Sequence, residues 1–279
     1  MGFDPFARGR CAFFVKKVLF IFLLSAVAWS HGEEVWRSRL TPTAGPFPMI
    51  RPFQGEFRFG WSNIAAASAR ANFAPRGNRL EMDVWGGTTG AASFLWELNA
   101  THTSVVFPSE LRTDWFFQEE KYASRTVYTQ AVYQSDGLWR QRDVVPDPNG
   151  PARWKQIKIA PSRGLVATML FIRSQPLNPN DRVGVIAFPG DDSYLVEIRV
   201  VGRETIKVAG ESYPAIKLDF GIQKIVRDKK SKRSHLEPHK KFRSGRVWIS
   251  DDAARMALRI EVNIFIGYVF GELVEVNFR

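Results

Sequence analysis

Cysteine is almost absent from this 279-residue chain, whose single one, Cys11, lies near its start. With none beyond it, no intrachain disulfide can form and thiol catalysis has no nucleophile. Long apolar runs are missing after residue 30, so no later segment reads as a membrane-spanning helix. Serine never sits in a Gly-x-Ser-x-Gly elbow: Ser62 in "GWSNI" and Ser212 in "GESYP" each lack the second glycine. "GGTTG" at 86–90 has no lysine to serve a phosphate loop and reads as a turn. Histidine is scarce, with four in all. His235 and His239 are spaced as in a helical zinc site, but Pro238 between them breaks the helix that would put both imidazoles on one face. His102 stands alone in a strand-like stretch, and His31 falls at the new N-terminus or is removed. These absences leave no catalytic residue, metal ligand or cofactor to name.

What is present begins with a basic segment, "MGFDPFARGRCAFFVKK", followed by an apolar run from Val18 to Trp29 and a polar restart. That order is a secretory signal, and about twelve apolar residues fall short of the roughly twenty that span a bilayer. Cleavage is expected after Ala28 or after Ser30. Cys11 precedes the apolar run, where a lipid-acceptor cysteine would follow it. The reading places the protein in the periplasm or cell envelope of a Gram-negative-type bacterium.

Residues 31–54 carry Pro42, Pro46, Pro48 and Pro52 and read as an extended lead-in outside the core. Residues 55–279 read as one β domain. Its dominant period is two: Leu80, Met82 and Val84 alternate with polar neighbours, as do Val196, Ile198 and Val200, and Ile216, Leu218, Phe220 and Ile222. Phe94, Trp96 and Leu98 read as a further strand. One short helix is expected, around Gly164 to Ser174. Strands with one wet face and almost no helix between them imply an all-β fold, a single domain of mainly antiparallel strands forming a barrel or strongly curved sheet.

In "RVWISDDAARMALRIEVNIFIGYVFGELVEV", residues 246–276, Asp251 and Asp252 stand between two alternating apolar runs. Adjacent residues of an extended chain point apart, so the pair reads as a hairpin turn rather than a catalytic couple. This stretch resembles the closing hairpin of the bacterial domain of unknown function 3108 family, with Trp248, Asp252, Gly267, Glu272 and Leu273 at matching positions. "LFIRSQPLNPNDRVGV" and "VEIRVVGRETIKVAGESYPAIKL" support it. Asn180 stands where a glycine is usual and Ala257 where a proline is. The resemblance implies an exported, mainly β protein and carries over no catalytic residue.

The formal charge is +11, and it is concentrated. Residues 224–246 hold ten basic and two acidic side chains, which equals the net excess left once residues 1–30 are set aside. Lys229, Lys230, Lys232, Arg233, Lys240 and Lys241 can be a solvated loop or can dock on an anionic membrane or glycan surface. Nucleic acid is not expected, because no aromatic interrupts this run to stack on bases. Trp85 and Trp248 face away from the aliphatic side of their strands and either cover an outer face or line an apolar groove. Together these features favour non-enzymatic binding of a lipid-like envelope component. The alternatives are a structural or protein-interaction module and, third, an envelope glycan hydrolase.

Overall fold

A computed structural model describes residues 34–62, 64–146, 150, 152–159, 161–240, 242, 244–264 and 267–279. The signal segment and its cleavage site therefore lie outside the described residues, as does Lys241. The described chain falls into two compact units, one of residues 34–39 and 227–235 and one of residues 40–226 and 236–279.

The smaller unit contains a single helical turn, α1 (Glu34–Arg37), with the Arg37 guanidinium 4.7 Å from the Trp36 ring centre. Its other segment is knotted by Asp228, whose side chain accepts hydrogen bonds from the backbone of Lys230 (2.9 Å) and Ser231 (2.6 Å). The Asp228 N–H in turn donates to the Arg233 carbonyl at 2.8 Å. These bonds, led by that from the Ser231 backbone, hold the Asp228 carboxyl below its ordinary value. The knot leaves Lys229, Lys230, Lys232 and Arg233 exposed.

The larger unit is a sheet built from β1 (Phe53–Trp61), β2 (Ile64–Arg76), β3 (Arg79–Thr88), β4 (Leu98–Phe107), β5 (Arg112–Tyr122), β6 (Arg125–Gln134), β7 (Gly137–Val145) and β8 (Lys155–Ile157). It continues with β9 (Ser162–Arg163), β10 (Arg182–Ala187), β11 (Tyr194–Val208), β12 (Glu211–Arg227), β14 (Ser244–Ser250), β15 (Ala257–Asn263) and β16 (Tyr268–Phe278). β13 (Ser234–Pro238) lies off the main path. The path runs β8 to β1 in reverse chain order, then β16, β15, β14, β12, β11, β10 and β9. Among the described residues, only the short β9–β10 pair along it is parallel and its two ends do not pair, so the sheet is open.

The sheet curls all the same, because inward side chains of strands far apart on the path share one core. Phe73, Leu80 and Met82 from β2 and β3 belong to the same buried cluster as Val183, Val185, Ile198 and Val200 from β10 and β11. Helix α2 (Ala91–Leu95) joins β3 to β4, and α3 (Leu165–Ser174) supplies Val166, Ala167, Leu170 and Phe171 to the core. The apolar sequence of α3 suits this, yet Leu165 and Met169, four residues apart on one face, remain exposed. Past its last turn, Arg255 donates to the carbonyls of Arg173 (2.7 Å), Gln175 and Pro176 (2.9 Å), groups a helix end leaves without intrahelical partners.

Two expectations need correction. Residues 31–54 do not stay outside the core: Ile50 and Phe53 are buried in it, and Thr41 and Phe47 donate backbone hydrogen bonds to Gly184 (2.8 Å) and Ser174 (3.0 Å). Prolines bar this segment from a central strand but not from packing against a helix end. Phe94 to Glu97 is not a half-buried strand, and β4 starts only at Leu98. Gly90, at φ +59°, turns the chain into α2, and Phe94, Leu95 and Trp96 project into solvent.

The aspartate pair is a turn. The Asp252 carboxylate accepts from the backbone of Ala254 (2.9 Å) and Arg255 (3.0 Å), while Asp251 points away to Arg203 at 2.8 Å.

Candidate functional site

Along its inward face the sheet has a filled end and a hollow one. One register row, Phe73, Met82, Ser104, Phe116, Ala131 and Arg140, crosses β2 to β7 and is largely buried. Two residues along each strand the row is Ala71, Val84, His102, Gln118, Thr129 and Arg142, and two further it is Ala69, Gly86, Ala100, Glu120, Val127 and Val144. Apolar bulk gives way first to polar groups and then, on β2 to β4, to alanine and glycine. Those last residues are only half-buried.

The same change occurs on the other side of β1. Phe57 pairs with the buried Leu273, but the next inward pair is Phe59 and Gly271, and Gly271 pairs with Ile260. A Cβ on Gly271 would lie 2.7 Å from the Phe59 ring, and one on Gly245 would lie 2.1 Å from the Phe220 ring, so each ring rests on a glycine. Phe59, Ile260 and Val269 are each 37% exposed despite facing inward. The Ile260 position thus departs from the buried alternation that Met256 and Leu258 follow.

Where the two free ends of the sheet face each other, a cleft of about 400 Å³ opens between β5, β6 and β7 on one side and β10, β11 and β12 on the other. Its apolar wall is Leu165, Val196, Ile222 and Phe242, and its polar wall is Gln118, Glu120, Thr129 and Arg142. At its edge the rings of Tyr194, His239 and Phe242 follow one another at 5.5 and 4.6 Å. Burial, aided by Asp191 and Asp192, pushes the Tyr194 phenol up to about 12. This size and mixed lining are those of a small-molecule site.

His102 belongs to the polar row and stacks on Phe116 at 5.5 Å. Its Nε2 and the Ser104 hydroxyl are buried without a hydrogen-bond partner among the described residues. Burial holds the imidazole below its ordinary value, against the opposing influence of Gln118 and Asp83. A histidine neutral in the fold takes up a proton on unfolding, so the unfolded state binds more protons below about pH 6.5 and stability falls as pH drops through that range. Urea titrations at pH 7 and 5 should show this decline in the native protein and a smaller one in His102→Gln.

The two tryptophans singled out in the sequence are not brought together. Trp85 is exposed on β3, whereas Trp248 is buried on β14, five strands away along the path. The Trp248 N–H donates to Glu204 at 2.7 Å, which holds the Glu204 carboxyl below its ordinary value, and Lys217 covers the indole. Trp248 continues into Arg259 and Glu272, the latter buried between Arg259 (2.9 Å) and Arg58. Trp248 and Glu272 therefore anchor a polar ribbon on the outer face and do not line a groove with Trp85. Lys240 is exposed. Among the described residues no group of three or more His, Cys, Asp or Glu could hold a metal ion, and no helix is long and apolar enough to cross a membrane.

The sequence pointed to none of the cleft-lining residues as a site. Gln118, Thr129 and Arg142 are 11 and 13 residues apart in the chain and meet only through strand register. The one readable signal was the small inward residues of "IAAASARAN" and the glycines at 86 and 87.

Comparison with known proteins agrees with the fold. The model of a family described as protein of unknown function, DUF3108, matches residues 56–274. Among solved structures, a β-barrel-like protein of domain of unknown function DUF1849 from Brucella abortus is similar at 7% identity, with 83% of this chain and 99% of that one covered and a TM-score of 0.53. A protein described as exported, from Bacteroides fragilis, matches at 12% identity over 84% of this chain and 99% of that one, with a TM-score of 0.34 that is too low to bear on the argument. No curated protein matches the sequence.

Proposed function

The chain belongs to the DUF3108 family, whose function is unknown, and on that footing we propose that it is an exported envelope protein that binds an amphipathic, lipid-like component without transforming it. The observation that carries this reading is the hollow end of the sheet, where alanine, glycine and exposed apolar side chains stand where a closed core would have bulk. An apolar chain has Val196, Ile222, Leu165 and Phe242 to lie against. A polar head has Gln118, Thr129 and Arg142 within the same cleft. The short apolar segment from Val18 to Trp29 supports export.

Titration of the purified protein with a fluorescent long-chain fatty acid tests the reading. Saturable binding at one site per chain is expected, weakened at least tenfold in Ile222→Trp, which crowds the cleft from its apolar wall, provided the variant keeps its thermal transition. No saturable binding, or equal binding by a folded Ile222→Trp, overturns it.

A further inference from the structure

We propose that the rim of the hollow end docks on a phospholipid bilayer through two apolar connections, the β1–β2 hairpin and the β3–β4 loop. Trp61 and Ile64 are 46% and 65% exposed on the first, and Phe94, Leu95 and Trp96 are 92%, 89% and 57% exposed on the second. Single exposed apolar side chains are ordinary, but five large ones on neighbouring connections are a patch. The two are tied together, since the Thr89 N–H at the start of the loop donates to the Ala66 carbonyl at 2.9 Å, two residues from Ile64.

The loop holds its shape without burying these side chains. The N–H and hydroxyl of Ser93 both donate to the Gly90 carbonyl, at 3.2 and 2.7 Å, and the Trp96 N–H donates to the Ala92 carbonyl at 2.9 Å. Phe94 and Leu95 are therefore presented on a turn with the flanking Ser93 and Trp96 N–H groups already engaged, which lowers the cost of entering a lipid interface. The side chains at the same end suit headgroups. Leu98 at the base of the loop pairs with Tyr122, and around that β5–β6 hairpin Lys121 and Arg125 are exposed, with Arg125 over the Tyr122 ring at 5.4 Å. Glu97 is the exposed acidic residue beside them. Tryptophan at headgroup depth, phenylalanine and leucine deeper, and lysine and arginine at the margin are the chemistry of a protein surface lying in a membrane interface.

This docking goes beyond ligand binding in the cleft, since Phe94, Leu95 and Trp96 do not line it. The test is co-sedimentation of the full exported protein with vesicles of phosphatidylcholine alone and of phosphatidylcholine with phosphatidylglycerol, at 0.1 M and 1 M salt. Wild type is expected to pellet with both, more strongly with the anionic vesicles, and to retain binding at 1 M salt, where the Debye length is only about 3 Å. Phe94→Ser, Leu95→Ser and Trp96→Ser combined should lower vesicle affinity at least tenfold while leaving the thermal transition and fatty-acid binding unchanged. Absence of vesicle binding by wild type, as a purely protein partner for this patch would give, overturns the proposal. So does equal pelleting of the triple variant. Binding abolished by 1 M salt and by serine at Lys229, Lys230, Lys232 and Arg233 would assign docking to the basic segment and likewise overturn it.

Discussion

Phe171→Ala is expected to remove about 3–5 kcal/mol of stability, whereas the same truncation at Phe59 should cost about 1–2 kcal/mol. Phe171 is fully buried on α3, where the inward faces of β2, β3, β10 and β11 converge, and the Arg163 guanidinium lies 4.0 Å from its ring centre. Removing it leaves a cavity that strands held on both sides cannot collapse, and a partly buried cation without its ring. Phe59 also faces inward, but it lies over Gly271 at the hollow end and keeps over a third of its surface in water. Its removal uncovers apolar neighbours at an open end, and no closed cavity forms. Urea unfolding should show a large drop in midpoint for Phe171→Ala and a small one for Phe59→Ala, with the slope unchanged in both. Equal losses would mean that the end around Phe59 is packed as tightly as the other.

Glu272→Ala should cost about 2–3 kcal/mol, less than the roughly 3–5 kcal/mol typical of breaking a fully buried pair. The Glu272 side chain is 4% exposed and accepts from both Arg58 and Arg259. Its loss strands neither cation completely, for Arg58 is half in water and Arg259 keeps Glu261 at 2.8 Å. The contrast is Asp219→Ala, whose partners Arg199 and Arg246 are exposed and whose loss should cost under about 1 kcal/mol. Thermal denaturation of the two variants side by side measures the difference, and a loss at Glu272 no larger than at Asp219 would show that the ribbon contributes little.

How much of this was legible in the sequence depended on whether the information was local. Alternation at Leu80, Met82 and Val84 and along Ile216 to Phe220 was readable because these side chains face a filled core. The helix over Leu165–Ser174 was readable from its apolar density, though not the exposed stripe of Leu165 and Met169. Residues 94–97 misled because "FLWEL" offers apolar residues at a strand period, and the positive φ of Gly90 that makes all but Leu98 a projecting turn leaves no trace in that pattern. Trp248 could not be placed because its partner, Glu204, lies on β11, two strands over along the path and 44 residues away in the chain. The basic segment was evident from charge alone, and an aspartate followed by Lys-Lys-Ser is the kind of sequence that ties its own turn.

The most direct test of the hollow end as a binding site is organic extraction of the protein purified from bacterial envelopes, followed by mass spectrometry of what it carries. One amphipathic lipid class at close to one molecule per chain is expected, and folded Ile222→Trp prepared in parallel should carry almost none. Wild-type protein that comes out of the envelope without bound lipid, or a lipid load that the filled variant retains in full, would contradict the account.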